Sequence, residues 1–520
     1  MKLLALLLLL WTALARAAAP PDLDAWVARA MQAFDVPGVA VAIVKDGRVE
    51  AVKGYGVRRL GDPARVDENT LFGIASNTKA FTAAALAMLV DEGKVRWDDP
   101  VQKHLPGFQL YDPWVTRELT VRDLLCHRTG LGLGAGDLLF WPDTDVTRAQ
   151  VLAAARFIRP STSMRSRYAY NNLMFVVAGE IIPAVTGKSW DDFIRERILT
   201  PVGMHRSTIT SRGFQSGDNV AFPHSRGWRL EGELSPIPPT RDATWAAAAG
   251  IKSSAAEMAK WVAAQLEGGR LPGGKRLWSE AAAKEMWSSQ TIQPIREPSS
   301  DSLKAAQPNF ATYGLGWDLR DYRGRKLVGH SGGLTGMVTR VLMVPDAKLG
   351  VVILTNQEEG GATQAIAYHV LDHYLGNPPS DWIAAYLDSR KKTMAKAAEA
   401  EKKQQEQRVR GTKPSMEAAR YVGEYRDPWY GKAATSVENG NLVLRMARTP
   451  AMVADLEHWH YDTFHARFRD KTIPDAFVTF TLDHKGVVDS IRMRAVSELA
   501  DFSFDYHDLL FRPEPKPHVP

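Results

Sequence analysis

The chain has 520 residues, 45% of them hydrophobic and 24% charged, with a formal net charge of +6. That is the composition of a globular protein large enough for more than one domain, and it excludes disordered and collagen-like classes. The basic excess is concentrated in Arg390–Arg410, where Glu399, Glu401 and Glu406 interleave; this reads as a solvated helix and argues against a nucleic-acid partner.

In chain order, Lys2, the apolar run Leu3–Leu14 and the small residues of Ala15-Arg16-Ala17 have the three-part layout of a secretory leader. An apolar run of about twelve residues is too short to span a bilayer. Residues 1–17 are therefore expected to be removed as a signal peptide, with cleavage after Ala17, or after Ala19 if Pro20 does not obstruct the peptidase. The mature chain is expected in the periplasm or secreted, with no stable membrane anchor. Loss of Lys2 and Arg16 leaves a net charge of +4. Cys126 is the only cysteine, so no intramolecular disulfide can form and no cysteine after the leader can carry a lipid. A bacterial periplasm suits such a chain.

Leu23–Phe34 has helical spacing. Val39–Val44 and Val49–Val52 flank Lys45-Asp46-Gly47, an apolar strand pair with a glycine turn, and Ala80–Glu92 reads as a helix stopped by Gly93. After a mostly helical middle, Met337–Val344 and Leu349–Thr355 form a second strand pair around Pro345-Asp346-Ala347. Strands near both ends of a helical region predict one mixed α/β (α+β) domain over 22–385, its sheet assembled from distant segments. Tyr368–Tyr386 is helical and runs into a charged helical linker over 386–413, punctuated by Gly411 and Pro414. Beyond it, Asn439-Gly440 sits between Thr435–Glu438 and Asn441–Arg445, a strong two-residue hairpin signal. Phe477–Leu482 and Val487–Arg494 continue the pattern, and residues 414–513 are expected to form a small all-β domain, a barrel or sandwich.

Three short motifs carry chemistry. In Ser76-Asn77-Thr78-Lys79, a spacing of three brings the serine and lysine onto one helical face. A serine hydroxyl needs a base to become a nucleophile, and a helix N-terminus favours the negative charge that develops. The pattern also occurs at Ser389-Arg390-Lys391-Lys392, but in a polar linker without a pocket. In Tyr170-Asn171-Asn172 the tyrosine could relay protons, and Asn172 could hold substrate or Lys79. In His330-Ser331-Gly332, Gly332 would let substrate approach the backbone. The Gly333 and Ser76 N–H groups could together stabilise an oxyanion.

Each triplet is weak alone; their order is not. The chain resembles the serine β-lactamase, penicillin-binding-protein and related esterase superfamily, whose motifs are S-x-x-K, Y-x-N, and K-T-G or H-x-G. The resemblance covers roughly residues 25–375. It includes Val36–Ala42, Phe72–Ala75, Leu124–Leu131, Pro201–Met204, Ala249–Ser254, Tyr313–Trp317 and Gly329–Gly333, and points to the class C-like branch. It implies a helical region beside an antiparallel sheet with the active site between them, an acyl-enzyme on Ser76, and proton transfer shared by Lys79 and Tyr170. Asn172, His330 and Gly332 would bind substrate, and no cofactor or metal would be needed. Residues after Lys413 resemble a β-rich domain of undefined function appended to such hydrolases, notably at His458-Trp459 and Asp462-Thr463-Phe464. Two departures stand out. Met164-Arg165 replaces the family's usual Pro-Gly, and Cys126 stands where a small hydroxyl residue is usual.

Three rival readings are weaker. Gly329-His330-Ser331-Gly332-Gly333 fits the G-x-S-x-G nucleophile elbow, but that motif needs a helix to follow, and Leu334–Val344 is rich in β-branched residues. His369 with His373, and His458 with His460, lack a third ligand at convincing spacing. A non-catalytic sensor or scaffold would not need an activated nucleophile, although a single acylation of Ser76 without turnover would make a penicillin-binding sensor, which stays an alternative beside a true β-lactamase or DD-peptidase. The partner expected is a small-molecule or peptide substrate. Histidine at 330, where lysine is common, is largely neutral at pH 7 and offers little to a carboxylate. Short esters or D-amino-acid amides and peptides are therefore expected to be preferred over β-lactams.

Overall fold

A computed structural model describes residues 18–209, 218–241 and 243–514. The segment expected to be a leader, residues 1–17, lies outside the described residues. Among those described, no helix is long and apolar enough to cross a membrane.

The first domain is built on an eight-stranded antiparallel sheet. Its strands, in spatial order, are Arg48–Gly56, Gly38–Lys45, Leu349–Thr355, Met337–Val344, Arg325–Leu334, Asp318–Tyr322, Ala311–Tyr313 and Thr291–Ile292. Gly38–Lys45 pairs with Leu349–Thr355 from Val39↔Thr355 to Lys45↔Leu349, which ties the two ends of the domain together. Both of these strands are apolar without alternation and almost entirely buried, as befits strands covered on both faces. One face packs on the helices Leu23–Phe34, Gly360–Leu375 and Trp382–Glu406. The other packs on Ala255–Leu266 and the helical region that holds Lys79–Asp91. Lys79–Asp91 is buried from Lys79 to Leu89, so it is apolar all round rather than amphipathic.

Two boundaries differ from the sequence pattern. Tyr368–Tyr386 is not one helix: a break after Leu375 separates Gly360–Leu375 from Trp382–Glu406. Gly376 takes the left-handed conformation that ends the first helix, and Pro378-Pro379 follow it. The charged stretch over 386–413 is helical only as far as Glu406, as the outer part of a second helix already under way at Trp382; residues 407–413 leave the helix.

The C-terminal region is a closed barrel of eight antiparallel strands running from Gly423–Asp427 to Leu510–Pro513, which leaves no open edge. Asn439 and Gly440 both have positive φ, as the two-residue turn between paired Glu438 and Asn441 requires. The barrel is docked on the first domain, and buried apolar residues of the two join in one cluster.

Candidate active site

The serine turn is built by local strain and by packing on the sheet. Ala75 has φ +50°, an uncommon value for a residue with a side chain, and opens a 3-10 turn over Ala75–Thr78 that continues as the helix Lys79–Asp91. The turn is fastened to Met337–Val344: Thr339 Oγ1 donates to the Ile74 carbonyl at 2.9 Å, and the Asn77 amide donates to Thr339 Oγ1 at 2.9 Å. Gly332 makes this approach possible, because a Cβ there would lie 2.4 Å from the Ile74 carbonyl oxygen and 2.8 Å from the Ala75 Cβ. This corrects the expectation that Gly332 opens the backbone to substrate: the chain segment carrying Ser76 occupies that space.

Ser76 is half-buried and opens on a cleft, whereas Lys79 is fully buried behind it. The lysine Nζ lies 3.0 Å from Ser76 Oγ, 2.6 Å from Asn172 Oδ1 and 3.1 Å from the Ala248 carbonyl oxygen. Burial pushes the Lys79 pKa down from 10.5 to about 7, against the opposing pull of Asp137. A neutral amine has two N–H bonds and one lone pair. With the two N–H bonds given to Asn172 and Ala248, the lone pair faces the serine hydroxyl, the arrangement a base needs. Tyr170 is held well above its ordinary pKa by burial, partly offset by a hydrogen bond with Ser76. It is therefore a phenol at neutral pH, suited to passing a proton rather than abstracting one.

Asn172 had two expected roles, and the geometry fills one. Its Oδ1 accepts from Lys79 and its Nδ2 donates to Asp137 Oδ2 at 2.8 Å, so both ends of the amide are engaged by protein.

His330 is 4% exposed and has both ring nitrogens engaged. Nδ1 lies 2.5 Å from the Ser331 carbonyl, which can only accept, so Nδ1 carries the proton. Nε2 then accepts from the Tyr313 hydroxyl at 2.8 Å. Burial holds the pKa of His330 below its usual value, so the ring is neutral. It braces Tyr313 rather than bonding Tyr170, whose ring centre is 6.2 Å away. Ser331 lies within the strand Arg325–Leu334, which turns directly into the strand Met337–Val344; the helix that a nucleophile elbow needs does not follow.

The cleft has a volume of about 490 Å³, and Ser76, Tyr170, Asn172, His330 and Gly333 all line it. Trp141, Trp228, Trp245 and Phe140 supply aromatic walls. Among the described residues lining it, the charged side chains are Asp318, Glu358 and Asp501, all carboxylic acids. Asp501 opens onto the cavity, yet lies deep enough that desolvation raises its pKa.

Several residues here escaped the sequence reading. His127, at φ +56°, accepts from the Asn171 N–H through Nδ1 at 3.1 Å and packs 4.3 Å from the Tyr170 ring. Asp137 stands behind Asn172. Leu499, Asp501, Phe502, Ser503 and Phe504, all from the barrel region, form one wall of the cleft. His127 lay inside the recognisable Leu124–Leu131 segment, and only its unusual backbone marks it. Nothing local distinguishes Asp137 or the barrel segment, because their importance comes from contacts across the fold. Among the described residues, no group of three or more His, Cys, Asp or Glu side chains could hold a metal. His369 instead faces Asp22 at 3.0 Å, and His373 faces the Ala18 carbonyl at 3.0 Å.

Residues 23–375 match the family model described as Beta-lactamase, and residues 407–513 match a domain of unknown function, DUF3471. The chain is 31% identical over 427 residues to the unguisins hydrolase ungD' of Aspergillus campestris, covering 78% of this chain and 75% of that protein. It is 28% identical to penicillin-binding protein 4 of Amycolatopsis lactamdurans, over 66% of this chain and 85% of the other. In fold it is similar to the octameric penicillin-binding protein homologue from Pyrococcus abyssi. That match has a TM-score of 0.60 and 24% identity, over 94% of this chain and 99% of the other. The order of motifs, the sheet with its serine turn and a family match spanning most of the chain agree: the protein belongs to the beta-lactamase family, with a DUF3471 barrel following the family domain.

Proposed function

We propose that the protein is an exported serine hydrolase that works through an acyl-enzyme on Ser76, and that its substrates are short esters or small D-amino-acid amides and peptides. The observation that carries the reading is the buried amine of Lys79, 3.0 Å from the Ser76 hydroxyl, with its two other hydrogen-bonding directions taken by acceptors. Lys79 takes the Ser76 proton as the serine oxygen attacks the acyl carbon. Tyr170 passes that proton to the leaving group as the scissile bond breaks. Water then attacks the ester on Ser76, gives up its proton along the same route, and restores the serine. The Ser76 and Gly333 N–H groups stabilise the oxyanion.

Two features support the substrate class. His330 is neutral and already engaged, and the charged groups lining the cleft are all acids, so an anionic β-lactam gains little there. An uncharged acyl group loses nothing, and an ammonium would favour the ionised form of Asp501. The leader-like residues 1–17 support export.

Purified mature protein should be treated with a fluorophosphonate and then with a panel of esters, D-amino-acid amides and penicillins. The expected adduct maps to the peptide containing Ser76 and disappears in Ser76→Ala. Labelling at Ser331, or penicillins turned over faster than every ester and peptide, would overturn the proposal. A single burst of product followed by silence would instead identify a sensor.

A further inference from the structure

The barrel reaches the serine through a chain of hydrogen bonds. Ser503 Oγ donates to Asp137 Oδ2 at 2.8 Å; the same oxygen accepts from Asn172 Nδ2 at 2.8 Å; and Asn172 Oδ1 accepts from Lys79 Nζ at 2.6 Å. The barrel also secures the loop that carries Asp137. Asp505 accepts from the Gly136 N–H at 2.7 Å and from the Leu138 N–H at 3.3 Å. Gly134 packs so closely on Phe502 that a Cβ would lie 2.3 Å from the Phe502 carbonyl oxygen. Asp137, Lys79 and Asp505 are fully buried.

The direction of the Asn172 amide is critical. Burial raises the Asp137 carboxyl pKa to about 7, yet its Oδ2 accepts from both Ser503 and Asn172, so Asp137 takes the NH2 end of the amide and turns the oxygen toward Lys79. Were the amide reversed, its N–H would claim the lysine lone pair that faces Ser76, and the base would be blocked. The other ionisable groups around this chain are Asp501 and Asp505 on the barrel side, which oppose ionisation of Asp137, and His127, His330 and Tyr170 on the lysine side.

We infer that Asp137 and the barrel's Ser503 are positioning residues for Lys79, holding the Asn172 amide in the one orientation that leaves the lysine free to act on Ser76. The docked barrel is then part of the activating machinery as well as a wall of the cleft. This rests on the reading of Ser76 and Lys79 as nucleophile and base.

The test measures the rate of Ser76 acylation by a fluorophosphonate and by an ester, across pH, in the full-length protein. Ser503→Ala removes one hydroxyl and Asp137→Ala removes the carboxylate. Each is expected to slow acylation about 10- to 100-fold, the weight of a hydrogen bond to a charged group. Ser503→Thr keeps the hydroxyl and should restore the rate. Asp137→Asn keeps an acceptor but removes the anion that helps Lys79 hold its proton, so the acid limb of the rate profile should move to lower pH. A purely structural contact would leave that limb in place. If Ser503→Ala and Asp137→Asn melt with the wild type, are acylated at its rate and show its acid limb, the inference is overturned. If wild-type protein is not labelled at Ser76 at all, the functional reading itself has failed, which is a separate result.

Discussion

Protonation of Lys79 should govern the reaction below neutral pH. At pH 7 a lysine with the ordinary value of 10.5 would be about 0.03% unprotonated, whereas one at about 7 is about half unprotonated. Burial therefore raises the population of free base by about a thousandfold, which is what the apolar surroundings of Lys79 would contribute under the proposed mechanism. The sign follows from the depressed value: the lysine is neutral above it and charged below it, so rate is lost as pH falls. Asp137, raised by burial to about 7, takes up a proton over the same range and relaxes its pull on the lysine proton, so the rate should fall steadily below about pH 6.5 but by less than about tenfold per unit. The assay is kcat/KM for an uncharged ester between pH 4.5 and 9, with unfolding monitored at each pH so that denaturation is not mistaken for titration. A profile flat from pH 5 to 8, or one that climbs only above pH 9, would refute the assignment of a buried, neutral lysine base.

Gly332→Ala should force the serine turn away from the sheet, costing about 1–3 kcal/mol of stability and most phosphonate labelling; a melting curve and a labelling gel measure both. Gly134→Ala meets both a left-handed backbone at φ +72° and the Phe502 carbonyl. It should destabilise by more than about 1 kcal/mol in denaturant titration and raise KM for bulky acyl groups. Asp501→Asn should weaken kcat/KM for aminoacyl esters bearing an ammonium but not for neutral esters of the same size, and the difference should shrink in high salt. Dialysis against a chelator should leave activity unchanged, since the groups proposed to move protons are all side chains; loss that zinc restores would count against the mechanism.

What could be read from the chain alone was whatever depended on near neighbours. Ser76 and Lys79 are three residues apart, and a single helical turn brings them together. Asn439-Gly440 announced its hairpin because only such residues accept two successive positive φ values at low cost. Asn172 was legible as a partner of Lys79, since it lies in a motif whose company was informative. Gly332 was recognised as a place of close approach, but its neighbour was misjudged: Ile74 lies on another element, and spacing says nothing about which chain fills a gap. The partnership of His330 with Tyr313 depends on strand order in the sheet, and that of Asp137 with Ser503 joins residues 366 apart in sequence. The barrel was visible as a change of texture; its hold on the cleft was not, because docking is decided by the match of two surfaces.

The position of Leu499–Phe504 in the cleft wall bears on how the protein is made. Synthesis begins at the N-terminus, so the serine turn emerges from the ribosome long before the residues that wall its cleft. Until then the pocket lacks a side, and a chain cut short by stalled translation or clipped near its C-terminus is left with an open groove. The last wall to be built thus serves as proof of length: only a polypeptide translated at least to Phe504 encloses the space in which its serine is to react.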